Sequence, residues 1–285
     1  MTSILKSNSS VGGLAMGTAR VLVRETRGSE ARTLPEAMDR ERERLRSLIA
    51  GSSSPDIFSA HLEMLDDPLL QETIESNIAE GMAPREAVEA TAEGIAAMLS
   101  GCGDDYMAAR ADDVRDVCRG IVESLCGDSS NQFADIPDDS VLVAEELFPS
   151  DTARMDFSKV RALVTRKGSV TSHVCIIARS RGVPVVLGVD IDSIKDGDYL
   201  LVDGGRAEVR INPTEKETET FRKGIGNDDT FPDEIRRLVR ESGIRIFANA
   251  GSVEDIKEAI AGGAEGIGLF RTEFLFMDRK GLPPE

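Results

Sequence analysis

From Thr33 to Gly127 the apolar residues recur at helical spacing, whereas the segments on both sides read as short strands. This change of period constrains the fold most, because a 3.6-residue pattern cannot lie in a sheet and a period of two cannot lie on a helix. Thr33-Leu34-Pro35-Glu36 has the form of a capping box and opens a charged helix with Leu45, Leu48 and Ile49 inward. A second helix starts at Pro55, puts Ile57, Phe58, His61, Leu62 and Leu65 on one face, and stops before Pro68. A third carries Leu69, Leu70, Ile74 and Ile78 to Gly81, and a fourth runs from Pro84 through Ile95, Met98 and Leu99. The fifth, from Asp104, carries Met107, Val114, Val117, Ile121 and Leu125. Loops of a few residues between such helices predict a compact antiparallel bundle.

The N-terminal strand has no partner nearby in sequence. Leu14 to Val23 reads as a strand, its alternation from Ala19 to Val23 suiting half burial, after Ile4-Leu5 and a Ser/Asn/Gly turn. Short apolar runs follow the bundle: 141–144, 162–165, 185–187, 199–202 and 207–211. Asp203-Gly204-Gly205 reads as a hairpin joining the last two. The economical reading is one α/β domain, built from residues 1–23 and 135–212, with residues 24–134 inserted as an all-α helical bundle. Residues 213–242 read as a helical linker broken near Gly224-Ile225-Gly226, and the last stretch as strand, helix, strand.

Charge narrows the partners. A formal net charge of −17 argues against nucleic acid as a partner and is compatible with electrostatic steering of a basic protein. No apolar run approaches the ~20 residues of a bilayer span, and no signal-peptide core opens the chain, so a cytoplasmic protein without membrane insertion is expected. Cys102, Cys118, Cys126 and Cys175 form no CxxC pair and have no histidine at ligand spacing, which predicts reduced thiols and no metal site.

The chemistry concentrates in Lys167-Gly168-Ser169-Val170-Thr171-Ser172-His173-Val174-Cys175-Ile176-Ile177-Ala178-Arg179-Ser180. Thr171 or Ser172 can cap a helix whose first turn holds His173. There the free N–H groups favour an anion and the positive dipole end disfavours imidazolium. A neutral, nucleophilic imidazole beside an anion site suits a covalent phosphoryl carrier.

This run, with Gly182-Val183-Pro184, resembles the phosphohistidine segment of enzyme I of the phosphoenolpyruvate-dependent sugar phosphotransferase system. Pyruvate phosphate dikinase and phosphoenolpyruvate synthase carry a related segment. The family usually has Gly-Gly where this chain has Gly168-Ser169, and small residues in place of Val174 and Cys175. The resemblance implies an α/β phosphohistidine (swivelling) domain with an inserted all-α helical bundle, followed by a C-terminal fragment of a (β/α)8 barrel.

It also implies roles. Pro149-Ser150-Asp151-Thr152 matches the segment whose threonine hydroxyl bonds the resting histidine, so Thr152 would orient the ring and aim Nε2 outward. Thr171, Ser172 and, more weakly, Arg179 would complete the site. The bundle would dock the phosphocarrier protein HPr through His61, Met64, Leu65, Tyr106, Arg110 and Arg115, with Glu63 standing where the family often has an apolar residue. Residues 243–285 resemble the opening of the family's phosphoenolpyruvate-binding barrel, and Arg271 matches an arginine that contacts the substrate phosphate.

Such a barrel takes ~250 residues and about 40 are present. The expected chain is therefore half an enzyme I, either shortened or a naturally short paralogue. It would exchange phosphate with HPr without being charged by phosphoenolpyruvate alone. No cofactor is expected in it. Mg2+ with phosphoenolpyruvate, and homodimers through the C-terminal domain, belong to the full-length family. Two rival readings are a non-catalytic module that binds HPr and a dikinase-like phosphohistidine domain. The dikinase needs an ATP-binding domain, and residues 33–127 offer no Gly-rich phosphate loop.

Overall fold

A computed structural model describes residues 3–22, 30–52, 55–101, 103, 105–127, 132–133, 135–170, 172–225, 233–251 and 253–270. The chain divides into two compact units, 1–213 and 214–285.

In the first unit, strands β1 (Ser3–Lys6), β2 (Ser9–Val11) and β3 (Leu14–Leu22) precede five helices: α1 (Leu34–Gly51), α2 (Pro55–Leu65), α3 (Pro68–Ala79), α4 (Pro84–Ser100) and α5 (Asp105–Leu125). Strand β4 (Ser140–Ala144), helix α6 (Pro149–Thr152), strand β5 (Val160–Thr165), helix α7 (His173–Ser180), and strands β6 (Val185–Leu187), β7 (Tyr199–Asp203) and β8 (Glu208–Ile211) follow. The eight strands form one sheet in the order β1-β8-β7-β3-β4-β5-β6-β2. β3 to β6 run parallel, and the other pairs are antiparallel.

Residues 7–13, read from sequence as a turn, contain a strand. β1 and β2 are consecutive in the chain yet pair at opposite ends of that strand order, so the sheet curls until its ends meet near Ser7. There the Ser7 N–H donates to Ala207 O at 2.9 Å and its hydroxyl donates to the carbonyl of Leu187. β3 crosses the sheet centre without a side chain at Gly17, where a Cβ would lie 2.1 Å from the Asp139 carbonyl oxygen. The hairpin read at Asp203 joins β7 to β8, with Asp203 opposite Glu208.

Both faces of the sheet are covered. One core cluster packs Leu142, Leu163, Val174 and Cys175 together, and another packs Val141, Val164, Leu200 and Val209. The bundle has its own core of Leu45, Phe58, Leu65, Ile74, Val117 and Ile121. Its helices open on the devices the sequence offers. The Thr33 N–H donates to Glu36 Oε2 at 3.0 Å in α1, and the Asp67 carboxylate accepts from the Leu69 N–H at 2.8 Å in α3.

In the second unit the stretch read as a broken helical linker carries α8 (Glu215–Ile225) and α9 (Asp233–Ser242). Strand β9 (Phe247–Ala250), helix α10 (Val253–Gly262) and strand β10 (Gly266–Phe270) follow, the two strands pairing in parallel. β9 starts later than the sequence suggested, leaving Ile244 exposed before it. Among the described residues no helix is long and apolar enough to cross a membrane.

Candidate functional site

β5 leads into the 166–172 loop, which the backbone pins at both ends. The Thr165 hydroxyl donates to Lys167 O at 2.7 Å, the Lys167 N–H to Glu145 O at 2.8 Å, and the Ser172 N–H to Ser169 O at 3.0 Å. Gly168 takes φ of +128°, a conformation that suits glycine, and Ser169 has no positive φ. Serine in the second position is therefore compatible with the turn.

Ser172 is the cap: its side chain accepts from the Cys175 N–H at 3.4 Å. His173 is thus the first residue of α7, beside N–H groups that have no intrahelical partner. The sequence left the cap open between two hydroxyls, and the side-chain bond selects Ser172. Thr171 lies outside the described residues. Val174 and Cys175 turn inward and are buried, so these larger residues pack into the domain core. Burial pushes the Cys175 thiol up, which makes it a poor nucleophile.

The His173 ring is half-buried. Burial lowers its pKa below that of an ordinary histidine; the Asp113 carboxylate opposes that shift and His61 reinforces it. Asp113 and His61 both belong to the bundle, so the ring lies within reach of charges on that domain. The neutral form that phosphoryl acceptance needs is favoured by its surroundings.

The Thr152 hydroxyl donates to the Pro149 carbonyl at 2.7 Å, inside α6, so that proton is not available to His173 and the oxygen could only accept from the ring. The reason is local, since a threonine three residues after a free helical carbonyl satisfies it at short range. Arg179 is exposed in the last turn of α7, about 9 Å along the axis from His173. It complements the negative end of the helix dipole rather than joining the site.

The docking residues divide. Met64 is half-buried, and Arg110 and Arg115 are partly exposed and ion-paired, Arg110 to Asp113 and Arg115 to Glu93 and Asp112. Tyr106 lies on α5, its side chain outside what the structure describes. His61 and Leu65 correct the expectation: both are completely buried and offer no docking surface. They stand three and seven residues after Phe58, on the inward stripe of α2, so the bundle core claims them. The apolar surface lies instead on Leu69 (58% exposed) and Met98 (66% exposed), which helical spacing had grouped with the core. Beside them a pocket of about 70 Å³ is lined by Met64, Leu69 and Ile95 among others. Adjacent residues stand about 100° apart around a helix, so spacing alone did not tell which of Leu69 and Leu70 neighbouring helices would cover. Arg271 lies outside the described residues. Among the described residues no three His, Cys, Asp or Glu side chains form a group that could hold a metal ion.

Three family descriptions match successive parts of the chain: "PEP-utilising enzyme, N-terminal" over residues 8–110, "mobile domain" over 136–207 and "PEP-binding domain" over 227–285. The middle match contains the whole His173 site. The chain belongs to the PEP-utilising enzymes. Proteins named phosphoenolpyruvate-protein phosphotransferase resemble it along most of its length. The one from Geobacillus stearothermophilus is 36% identical over 82% of this chain and 42% of its own length. The one from Haloferax volcanii is 35% identical over 82% of this chain and 41% of its own. The Enterococcus faecalis protein is 32% identical over 100% of this chain and 54% of its own. The chain spans about half the length of the curated relatives it matches. Its structure also resembles the NMR solution structure of an Enzyme I protein, with a TM-score of 0.59, 29% identity, and coverage of 78% of this chain and 98% of that one.

Proposed function

We propose that this chain carries a phosphoryl group on His173 and exchanges it with the phosphocarrier protein HPr, as a phosphohistidine-dependent phosphotransferase of the sugar phosphotransferase system. The observation that carries the reading is the placement of His173 as the first residue of an eight-residue helix, half-buried, with its neutral form favoured. In the forward step the imidazole nitrogen attacks the phosphorus of phospho-HPr, the P–N bond to the HPr histidine breaks, and the phosphoryl group moves intact. In the reverse step the roles exchange. Phosphoryl transfer needs positioning and charge stabilisation more than acid–base machinery, and the free N–H groups at the start of α7 supply donors for the phosphoryl oxygens. The exposed apolar residues Leu69 and Met98, with Met64, supply the docking face in this reading. In the full-length relatives the first donor would be phosphoenolpyruvate.

Incubation with phospho-HPr is expected to place an acid-labile label on His173, and His173→Ala is expected to remove it. Label that persists in His173→Ala defeats the proposal. Tight HPr binding without any label would support the rival reading of a sequestering module.

A further inference from the structure

We infer that Asp116, with Arg119, is a positioning residue that clamps the phosphohistidine domain to the helical bundle and so sets where His173 is presented. The inference rests on the phosphocarrier reading above for its link to activity, and on the following geometry for the clamp itself.

Asp116 lies on α5 and is completely buried. Its carboxylate reaches out of the bundle to α6, thirty-four residues later, and accepts both from the Ser150 N–H at 2.9 Å and from the Ser150 hydroxyl at 2.7 Å. Arg119, one turn along α5, donates to Asp116 at 2.7 Å, to the Ser150 hydroxyl oxygen at 2.7 Å and to Asp151 at 3.0 Å. Its guanidinium lies 4.7 Å from the centre of the Phe148 ring. Asp151 in turn accepts from the Phe148 N–H at 2.8 Å, which caps α6 from within.

In α6 the Asp151 and Thr152 N–H groups bond the Phe148 carbonyl at 3.0 and 3.3 Å and Pro149 has no N–H, which leaves the Ser150 N–H as the early donor that needs a partner from elsewhere. Asp116 supplies it from the bundle and acts as a long-range N-cap. α6 packs against α7, the helix that starts at His173. The path from the bundle to the reacting ring is therefore short: Asp116, Ser150, α6, α7.

An ionic joint suits this task. A buried ion pair adds little net stability compared with an apolar contact of the same size, but its hydrogen bonds have direction, and a slid or rotated arrangement leaves charge unpaired. A cleft of about 410 Å³ opens beside the clamp between α4, α5 and the segment before α6, lined by Ala92, Cys118, Arg119, Val122, Glu146 and Phe148 among others. The contacts that carry direction across this joint are the ionic ones.

Asp116→Asn keeps the shape, removes the charge and turns an amide N–H2 group toward donors. Two measurements on the full chain test the clamp. Residual dipolar couplings report the orientation of the bundle helices relative to the sheet, and rapid-quench transfer from phospho-HPr separates the saturating rate from HPr affinity. The expected result is a changed or averaged orientation, a saturating rate at least about tenfold lower, and HPr affinity within about twofold of wild type. Should Asp116→Asn fail to fold, Ser150→Ala, which deletes the hydroxyl shared by Asp116 and Arg119, is read by the same criteria. Wild-type orientation and rate in the folded variant overturn the inference, as does a loss confined to HPr affinity. A wild-type chain that takes no phosphate sinks the carrier reading instead, and the orientation measurement then still decides the clamp.

Discussion

His61 Nε2 stands 3.2 Å from the Asp113 carboxylate, and its Nδ1 faces Asp116 Oδ2 at 3.9 Å with no hydrogen-bond partner. A fully buried imidazole between two carboxylates holds α2 to α5. Burial would raise the Asp116 carboxyl, but the charges of Arg119, His61 and Arg44 and the Ser150 hydroxyl hold it well below the usual carboxylate range. His61→Leu should therefore cost about 1–3 kcal/mol, because it removes the bond from Asp113 and the imidazole's charge beside Asp116. Urea unfolding of the variant checks this, and an unchanged midpoint would rule the contact out as a support of the bundle.

The two faces of the bundle should respond in opposite ways to substitution. Leu65→Ala removes a completely buried side chain and should cost about 2–5 kcal/mol of stability. Leu69→Ser alters an exposed one and should leave stability within about 0.5 kcal/mol. In the proposed docking role it should weaken HPr binding by about tenfold, a loss of roughly 1.4 kcal/mol. Paired thermal melts and calorimetric titrations separate the two effects.

The His173 ring should titrate below about 6.5, the value of an ordinary histidine, because burial outweighs the Asp113 charge. Ring-carbon NMR shifts followed against pH give the midpoint directly. The sign for stability follows from linkage. A histidine that binds its proton more weakly when folded contributes fully above its unfolded pKa, and that contribution is lost as pH falls toward the lower folded value. Between pH 7 and 5 the wild type should therefore lose more stability than His173→Gln. An equal loss in the two proteins would mean that burial does not perturb the ring.

Gly17→Ala should destabilise the first unit by roughly 1–3 kcal/mol. A Cβ there would meet the Asp139 carbonyl oxygen at 2.1 Å, and the adjacent Thr18 N–H, which donates to that oxygen at 3.0 Å, would have to move. Backbone cannot swing aside as a side-chain tip can. A melting temperature equal to that of the wild type would show that the two strands pass farther apart.

The sequence by itself determined the local structure. Apolar spacing placed five helices between two groups of strands, and Ser172 next to His173 announced a helix start, because capping and periodicity depend on residues within a turn or two of each other. Those signals, with the family resemblance, made His173 the candidate phosphoryl carrier. They could not show that residues 3–11 form two strands on opposite ends of a curled sheet, because pairing partners stand nearly two hundred residues away. Nor could they separate Leu65 from Leu69, since spacing measures angle around a helix and only neighbouring helices decide which angles are covered. Thr152 gives its hydroxyl proton to Pro149, and Asp116 carried no mark of its place beneath α6. Long-range hydrogen bonds form only when two separately folded elements meet, so tertiary structure alone decided which charges face the histidine and which hold the two domains together.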